Sequence, residues 1–207
     1  MSKLYFYYSA MNAGKSTVLL QSSYNYRERG LQTLLFAPKC DTRFGSPGIH
    51  SRIGLKQSAH LFEQDFDFYF HLKQHIKTRE AVHCILIDEG HFLTKMQVAQ
   101  LIMITKRLTI PTLCYGLRSD FLGEPFSGSQ YLLAWADELV EIKTICHCGS
   151  KATMNMRIDK DKRPIESGAQ IQIGGNESYL SVCMKHFVEA IKNIENSAKK
   201  ILSGAET

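Results

Sequence analysis

YYSAMNAGKSTVLL, residues 7–20, is the stretch on which the fold turns. Its second half, Gly14-Lys15-Ser16, ends as a phosphate-gripping loop ends, but Ser9 stands where the glycine-rich pattern has its first glycine. Such a loop works because consecutive backbone N–H groups and a helix N-terminus point at the anion, while the lysine adds a point charge and the next hydroxyl binds a metal. Backbone shape outweighs the side chain at the first position, and small Ala10, Ala13 and Gly14 leave room for close approach. The alternative is an AGKST string that opens an unrelated helix with Ser16 as its N-cap. Context weakens it: the string follows an aromatic strand directly and precedes a helix directly, as the mechanics of the loop require.

Outward from the loop, KLYFYY (3–8) reads as a strand, and residues 16–29 read as a helix stopped by Gly30. TLLFAP (33–38), CILIDEG (84–90) and TLCYGL (112–117) are continuous apolar runs of the kind buried on both faces of a parallel sheet. Residues 65–80 and 95–107 have helical apolar spacing. The polar stretch KCDTRFGSPGIHSRIG is too long for an ordinary connection and reads as a functional or mobile loop. Helices alternating with apolar strands give an α/β fold with a parallel sheet covered on both faces. Near Cys146 the text changes to short alternating runs around a charged turn, DKDKRP, which predicts small antiparallel strands. The expected division is a nucleotide-binding core at 1–143, a small second domain at 144–190 and a polar tail at 191–207.

Composition bounds the rest. The 207 residues suffice for a buried core without disulfide staples, and 44% hydrophobic with 22% charged residues is ordinary for a globular protein. No apolar run approaches the ~18 residues of a membrane span, and the first residues lack the apolar core of a signal peptide, so a cytoplasmic location with no membrane partner is expected. A net charge of +5 suits anionic ligands but falls short of the basic stripe of a dedicated nucleic-acid binder.

Six cysteines are too sparse for a secreted scaffold and fit thiols or a metal site. Cys146 and Cys148 are separated by one residue, Cys183 and His186 by two, which gives a three-sulfur, one-nitrogen set suited to structural tetrahedral zinc. The competing reading is three buried thiols and a surface histidine. His147 is a rival ligand expected to be exposed; Cys40, Cys84 and Cys114 are expected to pack, and His60, His71 and His75 to lie on the surface.

CILIDEGHF supplies the second half of a nucleotide site: Asp88 for a magnesium shell, and Glu89 to take a proton from an incoming hydroxyl. Capping of the following turn is the plain alternative for either acid. DEGH also suits a helicase-type motor, so a zinc-containing P-loop ATPase acting on nucleic acid is the competing function.

SAMNAGKST, KCDTRF, SRIGL, DEGHF, YGLRSDF, GSQYLLAWAD, CHC and IGGNESYLSVCMKH, in that order, resemble the thymidine kinase family of the type with a zinc-stabilised lasso, close to its bacterial members. The resemblance covers about residues 3–190. It implies a P-loop core with a small zinc-stabilised β lasso, and transfer of the γ-phosphoryl of ATP to the 5′-hydroxyl of thymidine or deoxyuridine. It also implies ATP, Mg2+ and structural Zn2+ as cofactors, dTTP as feedback inhibitor, a homotetramer and no nucleic-acid partner. Glu89 matches the catalytic base. Ser9, Ala10, Met11, Asn12, Ala13, Gly14, Lys15 and Ser16 match the triphosphate loop, with Ser16 and Asp88 on magnesium. Arg52 is matched to a further cation near the phosphates, with a surface arginine as the alternative. Met11, Phe92, Leu117, Phe121, Ile173, Gly174, Gly175 and Tyr179 match the nucleoside enclosure, although Phe92, Leu117 and Phe121 also suit core packing. A lid over residues ~155–180 held by the metal would exclude water. Two departures stand out: Ser9 for glycine, and His91 where many members carry glutamine, which implies a pH sensitivity near neutrality.

Overall fold

The computed structural model describes residues 2–40, 48–78, 81–165, 167–168, 170 and 178–191. By internal contacts the chain falls into two units. The first comprises Met1–Ser9, Ala13–Arg118 and Pro125–Ile142, and the second Ala10–Asn12, Ser119–Glu124 and Lys143–Thr207.

In chain order the first unit holds β1 (Leu4–Ser9), α1 (Lys15–Glu28), β2 (Thr33–Pro38), β3 (Ile49–His50), β4 (Lys56–Gln57), β5 (His60–Phe62) and α2 (Phe68–Thr78). It continues with β6 (Cys84–Ile87), a 3-10 turn at Gly90–Phe92, α3 (Lys95–Met103), a π-helical turn at Ile104–Leu108, β7 (Thr112–Leu117), α4 (Ser127–Trp135) and β8 (Glu138–Glu141). Six strands form one sheet in the order β5-β2-β6-β7-β1-β8, and every pairing is parallel.

Alternation along the strands explains why that sheet is covered on both sides. Leu4, Phe6, Phe36, Ile85, Ile87 and Cys114 enter one apolar cluster, which Phe68 and Leu72 of α2, Val98 and Leu101 of α3 and Leu132 of α4 complete. Their neighbours Leu35, Ala37, Cys84, Leu86, Leu113 and Tyr115 enter a second cluster with Leu19 and Leu20 of α1. Successive residues thus face opposite layers, as the period of two in a strand demands. β6 and β7 are buried at every position, hence their unbroken apolar text. Burial of each such Leu or Ile stabilises the sheet by about 1.5–3 kcal/mol.

The sequence reading has four core strands. The structure adds β5 and β8 at the two edges, together with α4 and the β3–β4 hairpin. That hairpin occupies part of the polar stretch 39–54, and residues 41–47 lie outside the described ones. His60, His71 and His75 depart from the expected surface placement. They are only partly exposed, His60 stacking on Phe36 at 5.4 Å and lying 5.0 Å from His71 between ring centroids. The cause is α2, which lays its aromatic face over the β2–β5 edge.

Among its described residues the second unit has two antiparallel pairs, β9 (Thr144–Ile145) with β10 (Lys151–Ala152) and β11 (Met154–Arg157) with β12 (Tyr179–Val182), followed by a helical segment at 184–191. Its core is small: Cys146, Ala152, Met154, Val182, Cys183 and Phe187. The DKDKRP turn is closed by Asp159 Oδ1, which accepts the amides of Asp161 at 2.9 Å and Arg163 at 2.8 Å. Tyr179 opens β12. Residues 192–207 and the positions Ile173, Gly174 and Gly175 lie outside the described residues. Among the described residues no helix is long and apolar enough to cross a membrane.

Candidate active site and metal centre

β6, β7 and β1 are adjacent and parallel, so their carboxyl ends gather on one edge, the edge where open α/β sheets bind ligands. Ser9 closes β1 in register with Leu117 at the end of β7, and Asp88 and Glu89 follow directly on β6. The chain then turns into α1 through Gly14, whose φ of 81° is a left-handed conformation that costs glycine little. α1 carries no acidic residue in its first turn, which leaves its N-terminal amides and dipole available to an anion.

Why Ser9 can stand in place of glycine is now apparent. It is the last residue of an extended strand and is not among the positive-φ residues, so no left-handed backbone is demanded of it. Its hydroxyl has a use: Lys15 Nζ donates to Ser9 Oγ at 3.2 Å, which holds a lysine that is 8% exposed. The left-handed positions of this stretch are Asn12 and Gly14 instead.

Ser16 Oγ donates to Asp88 Oδ2 at 2.9 Å, and the Glu89 amide donates to Asp88 Oδ1 at 3.0 Å. Burial, then the neighbouring Glu89 charge, push the Asp88 carboxyl above the usual aspartate range, opposed by the Ser16 hydrogen bond and the Lys15 charge. One hydroxyl and one buried carboxylate within 3 Å of each other form an oxygen-only donor pair, which fits a hard cation that keeps several waters.

Glu89 has φ 49° and ψ 42°, a left-handed conformation uncommon outside glycine and costly to hold. What holds it is the packing of the 3-10 turn that follows. Gly128, at the start of α4, approaches so closely that a Cβ there would stand 2.5 Å from Gly90 O and 2.9 Å from His91 O. Glu89 itself keeps 14% of its side chain exposed, and its Oε2 is 3.5 Å from His91 Nδ1. The Leu117 amide donates to the same Nδ1 at 3.3 Å, and Phe92 and Phe126 stack on the ring at 4.2 and 4.6 Å. Of the predicted site residues the first unit therefore brings together Ser9 with Lys15, Ser16 with Asp88, and Glu89 with His91, Phe92 and Leu117. Arg52 lies on the exposed turn between β3 and β4.

Within the second unit, Met11 is held at both backbone atoms: its amide donates to Asn155 Oδ1 at 2.7 Å, and Ser181 Oγ donates to its carbonyl at 2.5 Å. Asn155, 2% exposed, also donates through Nδ2 to Ser119 O at 2.9 Å. Phe121 is buried beneath the Arg157 guanidinium, 5.3 Å from its ring centroid. Asp120 accepts the Leu122 and Glu124 amides and the Gln170 side chain. Burial raises the Tyr179 phenol, Arg157 opposing. Asn155 and Arg157 escape sequence reading because a lone polar residue in an alternating strand carries no pattern.

Cys146, Cys148, Cys183 and His186 place their ligating atoms all within 4.8 Å of one another. Cys148 Sγ and Cys183 Sγ are 3.9 Å apart, and His186 Nδ1 lies 3.3 Å from Cys146 Sγ and 3.4 Å from Cys183 Sγ. A tetrahedron with Zn–S arms of about 2.3 Å has S···S edges of about 3.8 Å, so the cluster is consistent with a closed zinc site. His147 is exposed and stacks on His186 at 4.2 Å, outside this set. Cys84 and Cys114 are buried in the sheet and Cys40 is exposed.

A parallel sheet, a Gly14-Lys15-Ser16 turn into a helix, and a strand-end Asp88 followed by Glu89 are the parts of a P-loop phosphotransferase. The family model for thymidine kinase matches residues 2–187. Thymidine kinase of Photorhabdus laumondii is 57% identical over 199 residues, 96% of this chain and 98% of that one. Those of Legionella pneumophila strain Lens and Salmonella typhimurium are 60% and 56% identical, covering 90% and 93% of each chain. The chain belongs to the thymidine kinase family.

Proposed function

We propose that the chain transfers the γ-phosphoryl group of ATP to the 5′-hydroxyl of thymidine or deoxyuridine, giving the nucleoside monophosphate and ADP in nucleotide salvage. The observation that carries this is the Ser16–Asp88 pair beside a left-handed Glu89 in a chain of this family. The loop amides of Ala13 to Ser16 and the Lys15 ammonium bind the β- and γ-phosphates and take up the charge that spreads over the migrating group. Glu89 accepts the 5′-hydroxyl proton as the nucleophilic oxygen bonds to the γ-phosphorus and the bond to the β–γ bridging oxygen breaks, leaving ADP. Ser16 and Asp88 would hold Mg2+, which when bound neutralises phosphate charge. Arg52 is an additional cation for the polyphosphate. Met11, Phe92, Leu117, Phe121 and Tyr179, with Ile173, Gly174 and Gly175, enclose the nucleoside. Cys146, Cys148, Cys183 and His186 would hold a structural Zn2+ that fixes β9, β12 and the helical segment of the second unit. A homotetramer, inhibition by dTTP and a cytoplasmic location complete the reading.

The test is transfer of label from γ-labelled ATP with magnesium to a panel of nucleosides, run beside Glu89→Gln. Thymidine and deoxyuridine are the expected acceptors, with a ~10²–10⁴-fold fall in the variant. No label on thymidine would overturn the substrate, and full activity of Glu89→Gln the base.

A further inference from the structure

His91 follows Glu89 by two residues and is 4% exposed. Its ring cannot swing aside. Phe92 and Phe126 lie against it, and a Cβ at Gly116 would stand 3.4 Å from its Nδ1. Nδ1 therefore keeps two fixed neighbours, the Leu117 amide at 3.3 Å and Glu89 Oε2 at 3.5 Å. A ring nitrogen that accepts an amide proton carries a lone pair, so the neutral ring holds its proton on Nε2. That lone pair repels the carboxylate oxygen, and nothing draws Oε2 onto the ring. Protonation of Nδ1 reverses both relations. The nitrogen becomes a donor, holds Oε2 by a charge-assisted bond, and leaves the Leu117 amide without this acceptor.

We propose that His91 is a positioning residue for Glu89: neutral, it anchors the end of β7 and forms no bond to the carboxylate; protonated, it captures that carboxylate and suppresses transfer. The inference rests on Glu89 as the base. Glu89 is a charged group that faces the ring, and its own neighbour in sequence, Asp88, bonds Ser16. β7 contributes Cys114 behind Gly90, whose thiol burial pushes far up, Phe126 lies against the ring just before α4, and Gly128 of α4 faces the His91 carbonyl.

Two measurements test it. Imidazole nitrogen NMR on substrate-free protein should find Nε2 protonated and Nδ1 bare at about pH 8, with His91 titrating at lower pH in Glu89→Gln than in the native chain. A proton on Nδ1 at that pH, or an identical titration in the variant, overturns the proposal whether or not Glu89 proves to be the base. The second is the pH profile of kcat/KM. Asn at this position can set Oδ1 where Nδ1 stands and accept the Leu117 amide, yet gains no charge. The fall between about pH 8.5 and 6, ~10-fold in the native enzyme, should shrink to ~2–3-fold in His91→Asn, and His91→Gln should likewise lose it. An acid limb in both variants equal to the native one overturns the proposal.

Discussion

Ser16 and Asp88 stand 72 residues apart in sequence and 2.9 Å apart in space, hydroxyl to carboxylate. The pairing joins the first turn of α1 to the end of β6 and makes one oxygen site from two elements. Ser16→Ala removes the hydroxyl and leaves a buried acid. A ~10–100-fold fall in kcat is expected, with a raised magnesium requirement, read by titrating the metal at saturating ATP.

Asp88 also predicts how stability depends on pH. Its folded carboxyl holds a proton more tightly than an unfolded aspartate does. Its contribution is therefore fully present below the unfolded pKa of about 3.9 and lost as pH rises through the raised value. Asp88→Asn removes that loss. Without magnesium the variant should melt higher at pH 8 by about 2–6 °C, corresponding to about 1–2 kcal/mol, while its activity collapses. The gain should vanish near pH 4; a gain independent of pH counts against it.

Gly128→Ala should be poorly tolerated. The added methyl meets three backbone carbonyls at 2.5 to 2.9 Å, none of which can rotate away. The cost of overpacking is about 1–3 kcal/mol, and because the displaced turn carries Glu89, kcat should fall more than the ATP affinity. Thermal melts and steady-state kinetics measure the two effects.

Asn155 offers a cleaner separation. Asn155→Asp keeps an acceptor for the Met11 amide but loses the donor to Ser119 O, whereas Asn155→Ala loses both. Leaving buried groups unsatisfied costs about 1–3 kcal/mol, so thymidine affinity should fall ~10-fold in Asn155→Ala with a smaller change for ATP. Isothermal titration with each ligand would show it.

For the metal, Cys183→Ala should abolish zinc binding and loosen the second unit, whose buried apolar cluster includes two of the four proposed ligands. Elemental analysis should find about one zinc per native chain. Nucleoside binding should suffer more than ATP binding; equal loss of both, or retained zinc, counts against the assignment.

Much of the sheet was legible because β6 and β7 are buried at every position and so write themselves as unbroken apolar runs. β8, Glu138-Leu-Val-Glu141, sits at an edge where no residue is fully buried, and its charged ends erase that signal. α4 begins with Ser-Gly-Ser, and its Gly128 answers to a close approach rather than to helix propensity, so the helix has a weak start in the sequence. The turn Gly14-Lys15-Ser16 into a helix and the acids at the end of β6 were readable from spacing, and the clustering of Cys146, Cys148, Cys183 and His186 from their two short pairs. The Ser9–Lys15 contact and the two anchors on Met11 were not, since each joins residues whose proximity only the folded chain creates.

Residues 10–12 and 119–124 count with the smaller unit although the larger one surrounds them in sequence. That unit is consequently no transplantable cassette. A fragment cut at residue 143 would keep the cysteines yet forfeit both partners of the Asn155 amide, so shuffling this segment between homologues means exchanging three separate pieces of chain at once.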